Sequence, residues 1–101
     1  MATNRMRPIH PGEILREEFL APLEMTPNAL AKKLSVDAPR INEIVNERRA
    51  VSVDTALRLA RFFGTTPEFW LNLQLAYELR KAEIETRKTI DLEIVPLAES
   101  A

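Results

Sequence analysis

Two short helical patterns lie back to back in this chain, Thr26 to Leu34 and Ala38 to Asn46, joined only by Ser35-Val36-Asp37. A helix of about eight residues does not persist alone in water, because its first turn fixes many dihedrals for one hydrogen bond. Each of the two must therefore pack on its neighbours. Thr26 is a good N-cap and Pro27 suits the first helical position. Leu30, Ala31 and Leu34 form the buried stripe of the first helix. Asp37 is placed to cap the second, and Pro39 is tolerated only in its first turn. Ile41, Ile44 and Val45 face inward, so that Leu30 and Ala31 against Ile41 and Ile44 hold the pair at a fixed angle.

Three further helices surround this pair. His10-Pro11-Gly12-Glu13 reads as a helix start, with His10 as N-cap and Glu13 reaching back in the manner of a capping box. Ile14, Leu15 and Phe19 give that helix its apolar face, and Pro22 is expected to end it. Ser52, with Thr55 three residues on, opens a fourth helix whose core stripe is read as Ala56, Leu57, Ala60 and Phe63, with Gly64 as the stop. Thr66-Pro67-Glu68 opens a fifth. That helix carries one stripe of Phe69, Trp70, Leu73 and Tyr77 and a second of Leu71, Leu75 and Leu79. A helix apolar on two sides needs two things to pack against. One is the core of the domain; the other is read as a second subunit or a partner, with both stripes serving one crowded core as the alternative.

Beyond Glu85 the pattern changes, because Ile90, Leu92 and Ile94 alternate with Asp91 and Glu93. A period of two suggests a short strand or extended arm, with a frayed tail or more helix as alternatives. The reading is all-α: an N-terminal arm at residues 1–9, a five-helix domain at 10–82 and a C-terminal extension at 83–101 that can take a strand. Leu71, Leu75, Leu79, Ile90, Leu92 and Ile94 are the expected dimer or partner contacts.

Composition narrows the functional classes. There is no cysteine among the 101 residues, which removes disulfides, thiolate metal sites and cysteine nucleophiles together. No apolar run approaches the roughly 18 residues that span a bilayer, and no signal-like segment opens the chain, so a soluble, cytoplasmic protein without membrane contact is expected. His10 is the only histidine and serves as a cap, no Gly-rich phosphate loop is present, and the carboxylates fall on solvated helix faces. No catalytic group, metal or cofactor is expected, and Trp70 is read as core and not as a stacking platform. The net charge of −1 is split: residues up to Gly64 carry ten Lys/Arg and eight Asp/Glu, and the rest carry four and seven.

The helix pair is where chemistry concentrates. In a helix-turn-helix the second helix enters the major groove of DNA with its N-terminal end leading. Viewed down that helix, Pro39, Asn42, Glu43 and Asn46 point away from the core face, with Arg40 at its edge and Ala38 at the start after Asp37. Arginine can fork onto guanine, asparagine can pair with adenine, and glutamate can accept from cytosine. Arg48 and Arg49 follow in a loop suited to phosphates. Thr26 and Asn28 begin a helix whose N-terminus suits another. Without the fold, these residues read as an ordinary solvated face.

The chain resembles antitoxins of the HigA type, within the phage-repressor-like (Xre/Cro) helix-turn-helix superfamily. The resemblance runs over roughly Pro8 to Ala82. It is carried by His10-Pro11-Gly12-Glu13-Ile14-Leu15, by Ala29-Leu30-Ala31 and by the run from Arg40 to Arg49. It continues through Ser52 to Ala60 and Gly64-Thr65-Thr66-Pro67-Glu68-Phe69-Trp70-Leu71-Asn72-Leu73-Gln74. It implies a homodimer on a palindromic operator in double-stranded DNA, repression of its own operon, and neutralisation of a small ribosome-associated mRNA-cleaving toxin. Relatives in the broader superfamily often carry Gln at the starts of both helices, where this chain has Pro27 and Ala38-Pro39. Two alternatives stand beside this reading: a stand-alone repressor without a toxin, and an interaction module that kept the fold but lost DNA binding.

Overall fold

Every element of the protein, a computed structural model that describes residues 7–100, is a helix or a connection between helices. The first helix, α1, is a continuous run made of Pro11–Ile14, a π-helical Leu15–Leu20 and Ala21–Leu23. Then come α2 (Pro27–Leu34), α3 (Ala38–Val45), α4 (Val53–Phe63), α5 (Pro67–Glu85), α6 (Arg87–Glu93) and α7 (Leu97–Ser100). The all-α expectation is met. Of the N-terminal arm expected at residues 1–9, residues 1–6 lie outside the described residues.

Three starts follow the local chemistry read from the sequence. Thr26, Ser52 and Thr66 each accept a hydrogen bond from the backbone N–H three residues on, at Ala29, Thr55 and Phe69. Two capping expectations are corrected. Asp37 stands at the N-cap of α3 but its carboxylate caps nothing. The partners of an N-cap side chain are the N–H groups two and three residues on. Here the first belongs to Pro39, which has none, and the second, on Arg40, donates to the Asp37 carbonyl at 3.2 Å. Glu13 does not reach back to His10; both its oxygens accept from Arg7 at 2.8 Å, a fully charged partner. Pro22 does not end α1, which runs on to Leu23. Proline removes an N–H and crowds the carbonyl four residues back. The turn before it is widened to π geometry, with the Ala21 N–H donating to the Arg16 carbonyl.

The helix ends carry an unforeseen pattern. Gly64 stops α4 in the left-handed region, as expected. Glu24, Ser35 and Glu47 also stand at positive φ (52°, 58° and 63°), although none is glycine. After each, the next N–H reaches a carbonyl five residues back: Met25 to Leu20, Val36 to Ala31, Arg48 to Glu43. These are Schellman closures, which satisfy carbonyls that a helix end leaves open.

The core gathers Leu15, Leu30, Ile41, Ile44, Leu59 and Trp70, all fully buried. Trp70 packs among Phe19, Phe63 and Phe69, and its indole N–H donates to Thr65 at 2.8 Å, so it is a core residue. Leu57, expected in the core stripe of α4, is exposed. The buried residues Thr55, Ala56, Leu59 and Ala60 centre the stripe on the other side of the helix, and Leu57 falls roughly 120° away from it.

The strand considered at Ile90, Leu92 and Ile94 is corrected to helix: Ile90 and Leu92 lie in α6, and Ile94 follows it in extended conformation. A lone strand has no ladder to complete, whereas a helix satisfies its own backbone. An Arg87–Asp91 pair at four-residue spacing supports the helical turn. Helix α5, roughly 28 Å long at 1.5 Å per residue, carries the chain away from the core. Residues 84–98 are exposed throughout, and the molecule measures 57 × 24 × 22 Å.

Helix α1 is seated on α3 at one point where only glycine fits. A methyl group on Gly12 would stand 1.7 Å from the carbonyl oxygen of Ile44. Backbone therefore meets backbone there, and both sides of the contact are rigid. Gly12→Ala should lower stability by about 2–3 kcal/mol, at the upper end for overpacking, or force α1 off α3. Thermal melting read by circular dichroism checks this, and an unchanged midpoint would remove the close contact from the account.

Candidate nucleic-acid interface

The turn between α2 and α3 is tight because Ser35 adopts the left-handed conformation and Val36 closes back onto Ala31. The outer side of α3 is then left uncovered by the other described residues. Pro39 and Asn46 are exposed, Arg40, Asn42 and Glu43 are half-buried, and Ile41, Ile44 and Val45 are buried beneath them. Ala38, at the start of α3, packs partly against the core. Asp37 is exposed beside it.

The two helices meet through polar groups as well as core ones. The Asn42 amide donates to Asn28 Oδ1 at 2.7 Å, joining the first turn of α2 to α3, and also to the Ala38 carbonyl at 2.9 Å. Thr26 uses its oxygen to cap α2, which leaves the hydroxyl proton free to donate outward. Thr26, Asn28 and Asn42 are therefore brought to one edge of the site.

The arginines are held by acids. Arg40 donates from Nη1 to Asp54 Oδ2 at 2.7 Å, and Asp54 lies in the first turn of α4. Arg49 turns back onto α3 and meets Glu43 Oε1 through both Nε (2.9 Å) and Nη2 (2.8 Å). Arg48 is exposed in the loop between them. These contacts are solvated, so each is worth little to stability. The pairing with Arg40 and Arg58 holds the Asp54 carboxyl below the usual aspartate range, so it remains ionised.

Four residues that position this surface were not singled out from the sequence. Arg16, on α1, donates to the Val45 carbonyl at the end of α3 and lies 3.4 Å from Glu47. Gln74 is buried in α5 and accepts from the Val51 N–H at 2.8 Å, tying the loop after α3 to the core. Asp54 and Arg58 bracket the first turns of α4, and their four-residue spacing was the available signal. Arg16 and Gln74 gave none, because each reads as a solvated helix residue until its partner's position is known.

Of the expected partner contacts, Leu71 packs partly against the core. Leu75 (64% exposed) and Leu79 (58%) form an open apolar stripe on α5, and Ile90, Leu92 and Ile94 lie exposed beyond it. No group of His, Cys, Asp or Glu able to hold a metal occurs among the described residues. No helix there is long and apolar enough to cross a membrane.

Residues 15–70 match the helix-turn-helix family. The Pseudomonas aeruginosa antitoxin HigA, solved with the higBA promoter, is 53% identical over 90% of this chain and 99% of its own, with a TM-score of 0.88. Antitoxin GraA, solved in complex with its operator, is 50% identical over 96% of this chain and 98% of its own, with a TM-score of 0.89. Antitoxin HigA-1 of Vibrio cholerae is 36% identical over the whole chain and 98% of its own length. The chain belongs to the helix-turn-helix family, in its HigA-type group. In this HigA-type chain α2 and α3 are the two helices of the motif, and α1 and α4 brace them from either side.

Behind the motif, the imidazole of His10 is buried and accepts from the Gly12 N–H through Nδ1 at 2.8 Å, an arrangement open only to the neutral ring. It also lies edge-on to Tyr77 at 4.8 Å. Burial pushes its pKa down, against smaller opposing effects of Glu47 and of a hydrogen bond to the backbone of Arg49. As pH falls through the ordinary histidine range near 6.5, the unfolded chain takes up a proton that the folded one refuses. Stability should therefore fall between pH 8 and pH 5.5, before the carboxylates titrate. His10→Asn, which keeps a cap acceptor, should flatten that slope. Melting curves at four pH values decide the matter, and an equal slope in both proteins would rule His10 out as its source.

Proposed function

We infer that this chain is a DNA-binding antitoxin that reads a palindromic operator as a homodimer, represses its own operon, and neutralises a small ribosome-dependent mRNA-cleaving toxin. One observation carries the DNA-binding part. The outward side chains of α3 are left open by the fold, on a rod braced at both ends, and a 53% identical relative was solved with the higBA promoter. An eight-residue helix is about 12 Å long and fits the major groove.

The roles follow from chemistry. Arg40, Asn42, Glu43 and Asn46 face base edges, and Asp37, Ala38 and Pro39 bring the start of α3 into the groove. Thr26, Asn28, Arg48 and Arg49 take phosphates, which fix the register without reading sequence. One such helix reads too few base pairs to be selective, and two half-sites about 34 Å apart supply the rest. Leu71, Leu75 and Leu79, with Ile90, Leu92 and Ile94, are the apolar surface available to a second copy or to the toxin. From Thr65 onward the chain carries seven acidic and four basic residues, which suits a basic partner. The near-neutral total is no obstacle to DNA binding, because acids such as Glu43 and Asp54 lie against the arginines on the motif itself.

Gel shifts on the promoter upstream of the chain's own operon test the DNA part. Arg40→Ala should cost about 1–3 kcal/mol of discrimination, concentrated at one base pair of each half-site. Arg49→Ala should weaken operator and random DNA alike and reduce the salt slope by about one counterion per phosphate contact. If the double variant bound the promoter as well as the parent, the assigned face would be wrong. Co-purification from the intact operon, followed by mass measurement of the complex, tests the remainder. It should return a dimer with a second, basic polypeptide whose toxicity this chain relieves. A dimer alone would leave a stand-alone repressor.

A further inference from the structure

The geometry points to Asp54 as a positioning residue for base reading: it holds the Arg40 guanidinium in the orientation from which it addresses the groove. This rests on the DNA-binding reading above and assigns a role to a residue outside the reading helix.

Asp54 lies on α4, fourteen residues from Arg40 in sequence, and a single oxygen, Oδ2, serves two arginines. It accepts from Arg40 Nη1 at 2.7 Å and from Arg58 Nε at 2.9 Å. Arg58 is itself anchored, since its Nη1 donates to the Leu34 carbonyl at the end of α2 at 2.9 Å. The chain of contacts therefore runs from the last carbonyl of α2, through Arg58 and Asp54, to the first turn of α3. It spans the turn of the motif from outside, so the direction of Arg40 is referred to the same frame that sets the angle between the helices.

An arginine has five N–H donors in a rigid fork. Asp54 engages only Nη1, which leaves the Nε and Nη2 edge, one of the two edges able to fork onto guanine, without a partner among the described residues. A flexible side chain fixed beforehand loses less freedom on binding. Asp54 also places a negative charge near the DNA backbone, which disfavours any complex in which Arg40 does not find its base. Both effects raise selectivity. Neither contributes much to folding, because Asp54 is solvent-exposed and exposed ion pairs stabilise weakly. The carboxylate is held below the ordinary aspartate range, so its charge is present throughout the neutral region.

The experiment measures binding of the full-length protein to its operator, to random DNA, and to operators substituted at each base pair in turn. The proteins compared are the parent, Asp54→Asn, Asp54→Glu, Arg40→Ala and the double variant. Asp54→Asn should bind random DNA more tightly and lower the operator-to-random ratio about tenfold, the size of one bidentate base contact. Its relaxed specificity should fall at the base pair where Arg40→Ala loses discrimination, and should be absent once Arg40 is gone. Asp54→Glu should recover part of the ratio. Melting temperatures should stay within a degree or two of the parent. An unchanged ratio in Asp54→Asn, a loss spread evenly over all positions, or losses that add to those of Arg40→Ala would each overturn the role of Asp54. Failure of the parent itself to prefer its operator would instead overturn the DNA-binding reading, so the two failures are distinguishable.

Discussion

The placement of α3 depends on a contact that involves no side chain on either partner. Gly12 lies against the Ile44 carbonyl with no space for a methyl group, and neighbouring groups of α1 reinforce the docking. Arg16 takes the Val45 carbonyl one residue further on, and His10 shapes the backbone of Gly12 through its ring nitrogen. A helix of eight residues has little cohesion of its own. It becomes a rigid rod because α1 holds its C-terminal end, α2 holds its inner face through Asn28 and the apolar stripe, and Asp54 of α4 meets its first turn.

The outer surface is arranged on a different principle. Two of its arginines, Arg40 and Arg49, are not presented bare; Asp54 and Glu43 occupy them in the free protein. Such solvated pairs are weak: a phosphate can take the place of Glu43 on Arg49 at little cost, while Arg40 keeps a free edge for a base with Asp54 still on Nη1. A chain with a net charge of −1 can therefore still present cations to a polyanion. The acids hold the side chains in defined places and suppress indiscriminate attraction, which is a matter of selectivity more than of strength.

Much of the fold was legible because its signals are local. Thr26, Ser52 and Thr66 cap where cap chemistry says they should, and the apolar spacing of Ile41, Ile44 and Val45 gives the buried side of α3. What escaped depends on groups distant in sequence. Gly12 reads as one letter of a helix start until Ile44 is seen above it. Gln74 looks solvated until Val51 is found beside it. Leu57 and Leu59 are equally apolar, and only the packing of α4 tells which is inside. Asp37 illustrates a local conflict: the right residue for a cap is disarmed by the proline two positions on. Alternation at Ile90, Leu92 and Ile94 imitates a strand, but with no neighbouring edge the backbone closes on itself. For the candidate site, residue types and their order along α3 were readable from sequence alone. The acids that hold the arginines, and the hydrogen bond between Asn28 and Asn42, needed coordinates.

Three corners of the molecule, at Glu24, Ser35 and Glu47, turn through a conformation that every residue with a β-carbon resists. Each corner closes a helix next to the motif or within it. The chain accordingly sits below the robustness that its own architecture permits. Ordinary drift at those corners can toughen or loosen the whole scaffold without altering a core side chain or an outward one of α3, so durability and selectivity are open to separate adjustment.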